Sequence, residues 1–375
     1  MSSDFIPVNE PLLDGNEANY LAECIQTGWI STDGPFVRRF EEQVAQRFAR
    51  KHGIAVTNGS AALDTALAAL KLKPGDEVIL PAFTIISCAT PIVRMGAIPV
   101  VVDSDPATWN MDTAQIAERI TSRTRAIMAV HIYGLPTDMD PIMRLAEDHG
   151  LKVIEDAAEA IGQTCRGRPC GSFGEISTLS FYPNKHITTG EGGMLLTDDD
   201  ELAERCFSLR NLCFGERRFV HHELGWNFRM SNLQAAVGVA QLERLDQFIE
   251  RKREMGARYN ELLKSIDGFQ LPLKATDYAE NIYWVYGLVL NEEVPFDAEF
   301  AMKELRQKGI GTRPFFWPMH QQPVFREMGL FADVACPVAE RLGRRGFYLP
   351  SGLAITEAQQ RRVADALKAI LAGKT

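Results

Sequence analysis

Ser180-Phe181-Tyr182-Pro183-Asn184-Lys185-His186-Ile187-Thr188-Thr189-Gly190-Glu191-Gly192-Gly193 is the densest stretch of this sequence. A β-rich run over 177–181 ends in a short turn that carries one lysine. A glycine-rich bend then leads into a second apolar run over 194–197. Glycines in such a bend let backbone pass close to a bound planar group with no Cβ in the way. A lysine at a strand end, enclosed by apolar residues, can lose its proton and attack an aldehyde. Taken alone, a loop lysine is more often a solvated charge, since lysine is seldom buried unpaired.

N-terminal to this stretch, short continuous apolar runs recur over 54–56, 77–80, 98–102, 126–130 and 152–154. Intervals such as 60–70 and 138–149 have helical composition. Continuous apolar strands separated by helices predict an α/β fold with a mostly parallel sheet covered on both faces. A long helix is expected over 232–263, with Leu242, Leu245, Phe248 and Ile249 at helical spacing. Beyond it a smaller α/β unit is expected: a strand over 283–290, a helix over 298–307 and a closing helix over 357–371. This reading divides the chain into a large domain, 1–250, and a small C-terminal domain, 251–375.

Two more stretches can carry chemistry. Val153-Ile154-Glu155-Asp156-Ala157-Ala158-Glu159-Ala160 reads as a strand that ends on carboxylates. In open α/β sheets, ligands bind outside the carboxyl ends of strands. A carboxylate there can keep a pyridinium nitrogen protonated; the plainer reading is a helix N-cap. Thr57-Asn58-Gly59-Ser60-Ala61-Ala62-Leu63 reads as a strand turning through glycine into a helix, whose N-terminus suits a phosphate. Here the plainer reading is a capped helix. No GxGxxG or Walker motif occurs in the chain.

Bulk properties narrow the class. With 46% hydrophobic and 24% charged residues, the chain of 375 is neither disordered nor fibrous. A formal charge of −9 excludes wholesale wrapping of nucleic acid but leaves room for a local arginine pocket. Apolar runs fall short of the roughly 18 residues of a membrane span. The stretch 1–9 has Asp4, is followed by Glu10 and lacks an apolar centre, so it is not expected to be a signal peptide. Seven cysteines, an odd number with no CxxC pair, are expected to be free thiols in a reducing cytoplasm. Cys165 and Cys170 lack zinc-ligand spacing, so no metal is expected.

The order of phosphate turn, strand-end carboxylate and strand-end lysine resembles the fold-type I pyridoxal-phosphate (PLP) enzymes. In detail the chain resembles the DegT/DnrJ/EryC1/StrS sugar aminotransferases over nearly its whole length. The likeness is carried by Gly28-Trp29-Ile30-Ser31 with Gly34, Asn58-Gly59-Ser60, Pro81-Ala82-Phe83-Thr84 and the segment 131–134. It continues through 155–159, the Lys185 segment, Gly225-Trp226-Asn227-Phe228-Arg229-Met230, Arg313-Pro314 and Pro318-Met319-His320.

This resemblance implies a seven-stranded, mostly parallel sheet between helices in the large domain. It implies PLP held by Lys185 as a Schiff base, with Lys185 also moving the catalytic proton. Asp156 would pair with the pyridine nitrogen and Glu159 with the ring hydroxyl. Gly59, Ser60, Ala61 and Ser180 would hold the phosphate, helped by Asn227 from a second subunit of a homodimer. Trp29, Lys185, His186, Arg229, Arg313 and His320 form the candidate substrate set, with His320 nearest the sugar. Many relatives carry an aromatic residue where this chain has Ile85, so either Ile85 or Phe83 faces the cofactor ring.

Dehydrating members of the family have histidine in the lysine slot; here Lys185 fills it and His186 follows. Alternation in an extended segment turns His186 away from the cofactor if Lys185 faces it. Within the family the chain most resembles enzymes that aminate C4 of GDP-4-keto-6-deoxymannose with L-glutamate as donor. Amination of another keto sugar, dehydration, and a non-catalytic regulatory role are the alternatives.

Overall fold

The computed structural model describes residues 5–217 and 219–373; the expectation for residues 1–4 lies outside them. Among the described residues, nine strands fall before residue 200. They are β1 His52–Val56, β2 Glu77–Pro81, β3 Ile98–Val102, β4 Thr124–Val130, β5 Lys152–Asp156, β6 Thr164–Cys165, β7 Arg168–Pro169, β8 Ile176–Ser180 and β9 Gly193–Thr197. Strands β6 and β7 form a separate ribbon. The other seven make one sheet in the order β1-β9-β8-β5-β4-β2-β3. Only β9 runs against its neighbours; the rest are parallel. The expected seven-stranded α/β sheet is therefore present.

The sheet is buried on both sides because its strands are apolar at successive positions, which point to opposite faces. Ile54, Val56, Val78, Leu80 and Ile154 pack into one core. Their neighbours Ala55, Ile79 and Val153 pack into the other. Helix Gly59–Ala69 covers the first face and helix Met139–His149 the second. The latter is capped by the Asp138 side chain and ends at Gly150 with φ +63°.

The helix expected over 232–263 is two helices, Asn232–Leu242 and Leu245–Leu263. A capping box of Ser231 and Gln234 starts the first. Arg244 leaves helical geometry at φ −116°, ψ 8°, and separates them. Leucines 242 and 245 keep helical spacing across the break, so periodicity does not reveal it. The second helix serves two cores. Leu245, Phe248 and Ile249 bury against the large sheet's covering, whereas Met255, Tyr259 and Leu263 enter a third, C-terminal core.

That third core lies on an antiparallel sheet of β10 Phe269–Gln270, β11 Tyr286–Leu290, β12 Arg313–Pro314 and β13 Gly346–Leu349, in the order β10-β11-β13-β12. Ile6 joins this C-terminal core and bridges to Ile310, so the start of the chain packs beside its end. The strand expected over 283–290 begins only at Tyr286. Tyr283 is left-handed at φ +48°, and residues 283–284 cross Gly134 so closely that a Cβ there would lie 2.5 Å from the Trp284 nitrogen. Among the described residues no helix is long and apolar enough to cross a membrane.

Candidate active site

Because β1, β5 and β8 are parallel, their carboxyl ends reach the same edge of the sheet, where antiparallel β9 begins. Gly193 stands in register with Val56 on one side and Ser180 on the other. A Cβ on Gly193 would lie 2.4 Å from the Asn58 carbonyl oxygen, and one on Gly59 2.8 Å from the Ser180 Cβ. These two glycines let the turn after β1 lie against the end of β8. The Asn58 side chain caps the following helix. The orphan first-turn N–H groups, the helix dipole and the Ser60 and Ser180 hydroxyls make an anion cradle.

The cradle opens into a cavity of about 720 Å³, lined also by Thr84, Ile85, Asp156, Glu159, Thr178, Lys185, Trp284, Arg313 and Tyr348. The Asp156 Oδ1 accepts from the Ala158 N–H at 3.0 Å, and its Oδ2 from the Cys88 thiol at 3.3 Å. Burial raises its carboxyl, while the Ala158 N–H, Lys185 and Cys88 oppose that shift. Glu159 accepts the Tyr133 N–H at 3.0 Å, and its other oxygen lies 3.8 Å from Lys185 Nζ. Burial lifts Glu159 to about 7, with Lys185 as the main opposing influence. The Lys185 amine is pushed down by burial and held up by Glu159 and Asp156. A buried amine of lowered basicity beside two carboxylates is suited to nucleophilic attack and proton transfer.

Of the residues expected to act, Gly59, Ser60, Ile85, Asp156, Glu159, Ser180, Lys185 and Arg313 line this cavity. Ala61 does not, and its N–H already donates to Asn58 Oδ1 at 2.8 Å. Phe83 is fully buried among Tyr133, Phe315 and Phe316, whereas Ile85 is 43% exposed and faces the cavity. The aliphatic alternative thus holds the cavity wall.

His186 is corrected as a candidate substrate contact. It is fully buried, its Nε2 lies 3.4 Å from the Ile282 carbonyl, and burial together with Lys252 lowers it to about 3. It faces away as expected, but from a turn rather than an extended segment: the Lys185 N–H donates to the Tyr182 carbonyl at 2.9 Å. His320 is also buried off the cavity, with Nε2 2.9 Å from Glu340 Oε1. Its expected place nearest the sugar is not seen within this chain.

Trp29, Asn227 and Arg229 stand apart from the cavity as well. Arg229 donates to Asn227 Oδ1 at 3.0 Å and lines a separate hollow of about 190 Å³ with Thr32, Asp33 and Arg210. Trp29 is 52% exposed.

Sequence reasoning missed Trp284, Tyr348, Cys88 and Asn9. Asn9 lines the cavity and donates to the Pro183 carbonyl at 3.0 Å, from 174 residues away. It also missed Thr178, which the two-residue period of a strand places on the same side as Ser180. The Thr178 hydroxyl is buried without a partner at the cavity wall.

His131, Glu155 and Cys170 come together in the core. Protein partners engage both His131 nitrogens and both Glu155 oxygens, through Thr137, Gly171 and Phe173 as well as one another. This cluster is a cross-link between the end of β4 and the loop before β8.

An anion cradle at one end, a buried carboxylate, an amine of lowered basicity and unpartnered polar atoms on Thr178 and Asn184 fit a phosphorylated pyridine aldehyde. The fold and cavity together are those of a PLP-dependent transferase. The family model for DegT/DnrJ/EryC1/StrS aminotransferases matches residues 11–368, and the chain belongs to that family. It is 42% identical over 367 residues to GDP-perosamine synthase of Caulobacter vibrioides, covering 98% of each chain. It is 39% identical to GDP-perosamine synthase of Escherichia coli O157:H7, covering 99% of this chain and all of the other. The crystal structure of the aminotransferase TlmJ from Streptoalloteichus hindustanus superposes with a TM-score of 0.91 at 29% identity, covering 98% and 99%. The protein is therefore a PLP-dependent sugar aminotransferase.

Proposed function

We propose that this enzyme transfers an amino group from L-glutamate to C4 of a nucleotide-linked 4-keto-6-deoxy sugar. The best candidate is GDP-4-keto-6-deoxymannose, with GDP-perosamine as product, a precursor for the O-antigen of lipopolysaccharide. The observation that carries this reading is the near-full-length identity to two GDP-perosamine synthases. PLP, when bound, supplies an aldehyde for amino exchange and a ring that stores an electron pair.

The chain's own residues do the rest in this reading. Lys185 holds the cofactor and moves the proton at the reacting carbon, a contribution of about 10²- to 10⁴-fold for a positioned acid–base group. Asp156 keeps the ring nitrogen protonated, and Glu159 takes the ring hydroxyl. Gly59, Ser60 and Ser180 hold the phosphate. Arg313, at the cavity wall, meets the anionic substrate. Trp29, Asn227 and Arg229 serve the site of the second subunit in a homodimer. Their separation from their own chain's cavity supports that assignment. The seven cysteines, all buried and free, are consistent with a cytoplasmic enzyme.

The test is a substrate panel. Enzyme carrying pyridoxamine phosphate is mixed with GDP-, UDP- and dTDP-linked keto sugars, and the amino sugar is identified by mass spectrometry. GDP-4-keto-6-deoxymannose should be converted fastest. Preference for a UDP- or dTDP-linked sugar, or for a 3-keto group, would assign the enzyme another sugar. A deoxygenated product without nitrogen would make it a dehydratase.

A further inference from the structure

Cys88 ends the short turn Ile86–Cys88 after β2 and is fully buried. Its Sγ lies 3.3 Å from Asp156 Oδ2 and 3.3 Å from Thr84 Oγ1. A thiol has one proton. Asp156, as a carboxylate, can only accept it, so the Thr84 hydroxyl must give its own proton to the sulfur. A directed chain results, from Thr84 at the cavity wall through Cys88 to Asp156. The Ala158 N–H takes the other carboxylate oxygen. Both oxygens are thus held, which fixes the rotation of the carboxylate about its last bond.

We propose that Cys88 is a positioning residue for Asp156, holding Oδ2 so that the carboxylate stays ionised and correctly turned toward the cofactor. The proposal rests on the reading that Asp156 pairs with the cofactor's ring nitrogen. Burial works against an ionised Asp156, and each donor offsets part of that penalty. A thiol is a weak donor. It orients the carboxylate while leaving it basic enough to hold a neighbouring proton. If Cys88 merely filled the core, any residue of similar volume would serve and the donor would be irrelevant.

The experiment measures the dissociation constant of PLP by dialysis of the holoenzyme between pH 5 and 8. The chains compared are the parent, Cys88→Ser, Cys88→Ala, Asp156→Asn and the Cys88→Ala/Asp156→Asn double variant, each with its melting temperature. Cys88→Ala should weaken retention about three- to tenfold, the range for losing one ordinary hydrogen bond, since the thiol is a weak donor even to a carboxylate. Its loss of cofactor should begin at higher pH than in the parent, because the carboxyl protonates more readily without the donor. Cys88→Ser should stay within about twofold, and Cys88→Ala should be silent when Asp156→Asn is already present. Equal losses in the Ser and Ala variants, unchanged retention in Cys88→Ala, or a loss that persists in the double variant overturns the proposal. Asp156→Asn should keep the cofactor bound but lose most of the transaminase activity; a variant that turns over like the parent overturns the reading of Asp156 itself, and the proposal with it.

Discussion

The indole of Trp284 lies over the amine of Lys185, its ring centroid 3.8 Å from Nζ, while its own Nε1 donates to the Asn184 carbonyl at 2.7 Å. The ring is tied to the residue beside the lysine it covers. Its backbone is tied too, since buried Lys252 donates to the Trp284 carbonyl at 2.7 Å and the Ser351 carbonyl at 2.5 Å. An aromatic face favours a cation by up to about 2 kcal/mol when desolvated, against the burial that pushes the amine down. Trp284→Leu keeps the wall apolar but removes that face. The pH at which apo-enzyme takes up PLP should therefore move down by roughly one unit. An unchanged or upward shift would show that the ring acts only as packing.

Lys185 is the lysine at the cavity wall. Borohydride should fix the cofactor covalently on it, as read by peptide mapping, and the purified protein should be yellow. Lys185→His should abolish transamination with little change in melting temperature. A label on any other lysine would falsify the central assignment.

His186 makes a pH prediction with a definite sign. Burial holds its folded value at about 3, below the ordinary 6.5, with Lys252 and Lys185 pressing the same way and the Ile282 carbonyl against. Between those values the unfolded chain binds a proton that the folded chain refuses. Stability contributed at this residue is thus complete above pH 6.5 and lost as pH falls toward 3, by up to about 1.4 kcal/mol per unit. Denaturant titrations of His186→Asn should show a shallower acid slope than the parent. Its activity at neutral pH should fall less than about tenfold, since the side chain faces away from the cavity.

Ile85 and Phe83 divide two tasks. Phe83→Leu removes a ring from a packed aromatic cluster and should cost about 1–3 kcal/mol of stability, with PLP retention unchanged. Ile85→Phe presents a ring to the cavity and should tighten PLP retention a few-fold. If Phe83→Leu instead released the cofactor at full stability, the two assignments would be reversed.

Asn227 tests the second subunit. Asn227→Ala should weaken PLP retention. Mixed with a Lys185→Ala chain, it should regain part of the activity, because hybrid dimers contain one site with both parental residues. No recovery in demonstrated hybrids means that each site is built from one chain.

Much of this was written locally in the chain. The strand Ile98–Val102 and the helix Ala298–Gln307 have the bounds that composition predicts. Apolar continuity marks a strand covered on both faces, and the turn residues Asn58 and Gly59 mark where one ends. The order of turn, carboxylate and lysine along parallel strands then requires Ser60, Asp156 and Lys185 to approach one edge of a sheet, since parallel strands present like ends together.

What the chain order left open was decided by packing. Trp284 meets Asn184 across 100 residues, and Asn9 meets Pro183 across 174. No spacing announces either contact, because each depends on how the C-terminal unit and the first residues fold back over the large sheet. His186 was turned away by a tight turn rather than by strand alternation, and Ala61 lost its free N–H to the cap that Asn58 supplies. Sequence pattern determines which face of an element is apolar and which residues end it. Which distant surface that face meets is settled only when all the elements bury their apolar area together, and that balance belongs to no single stretch of chain.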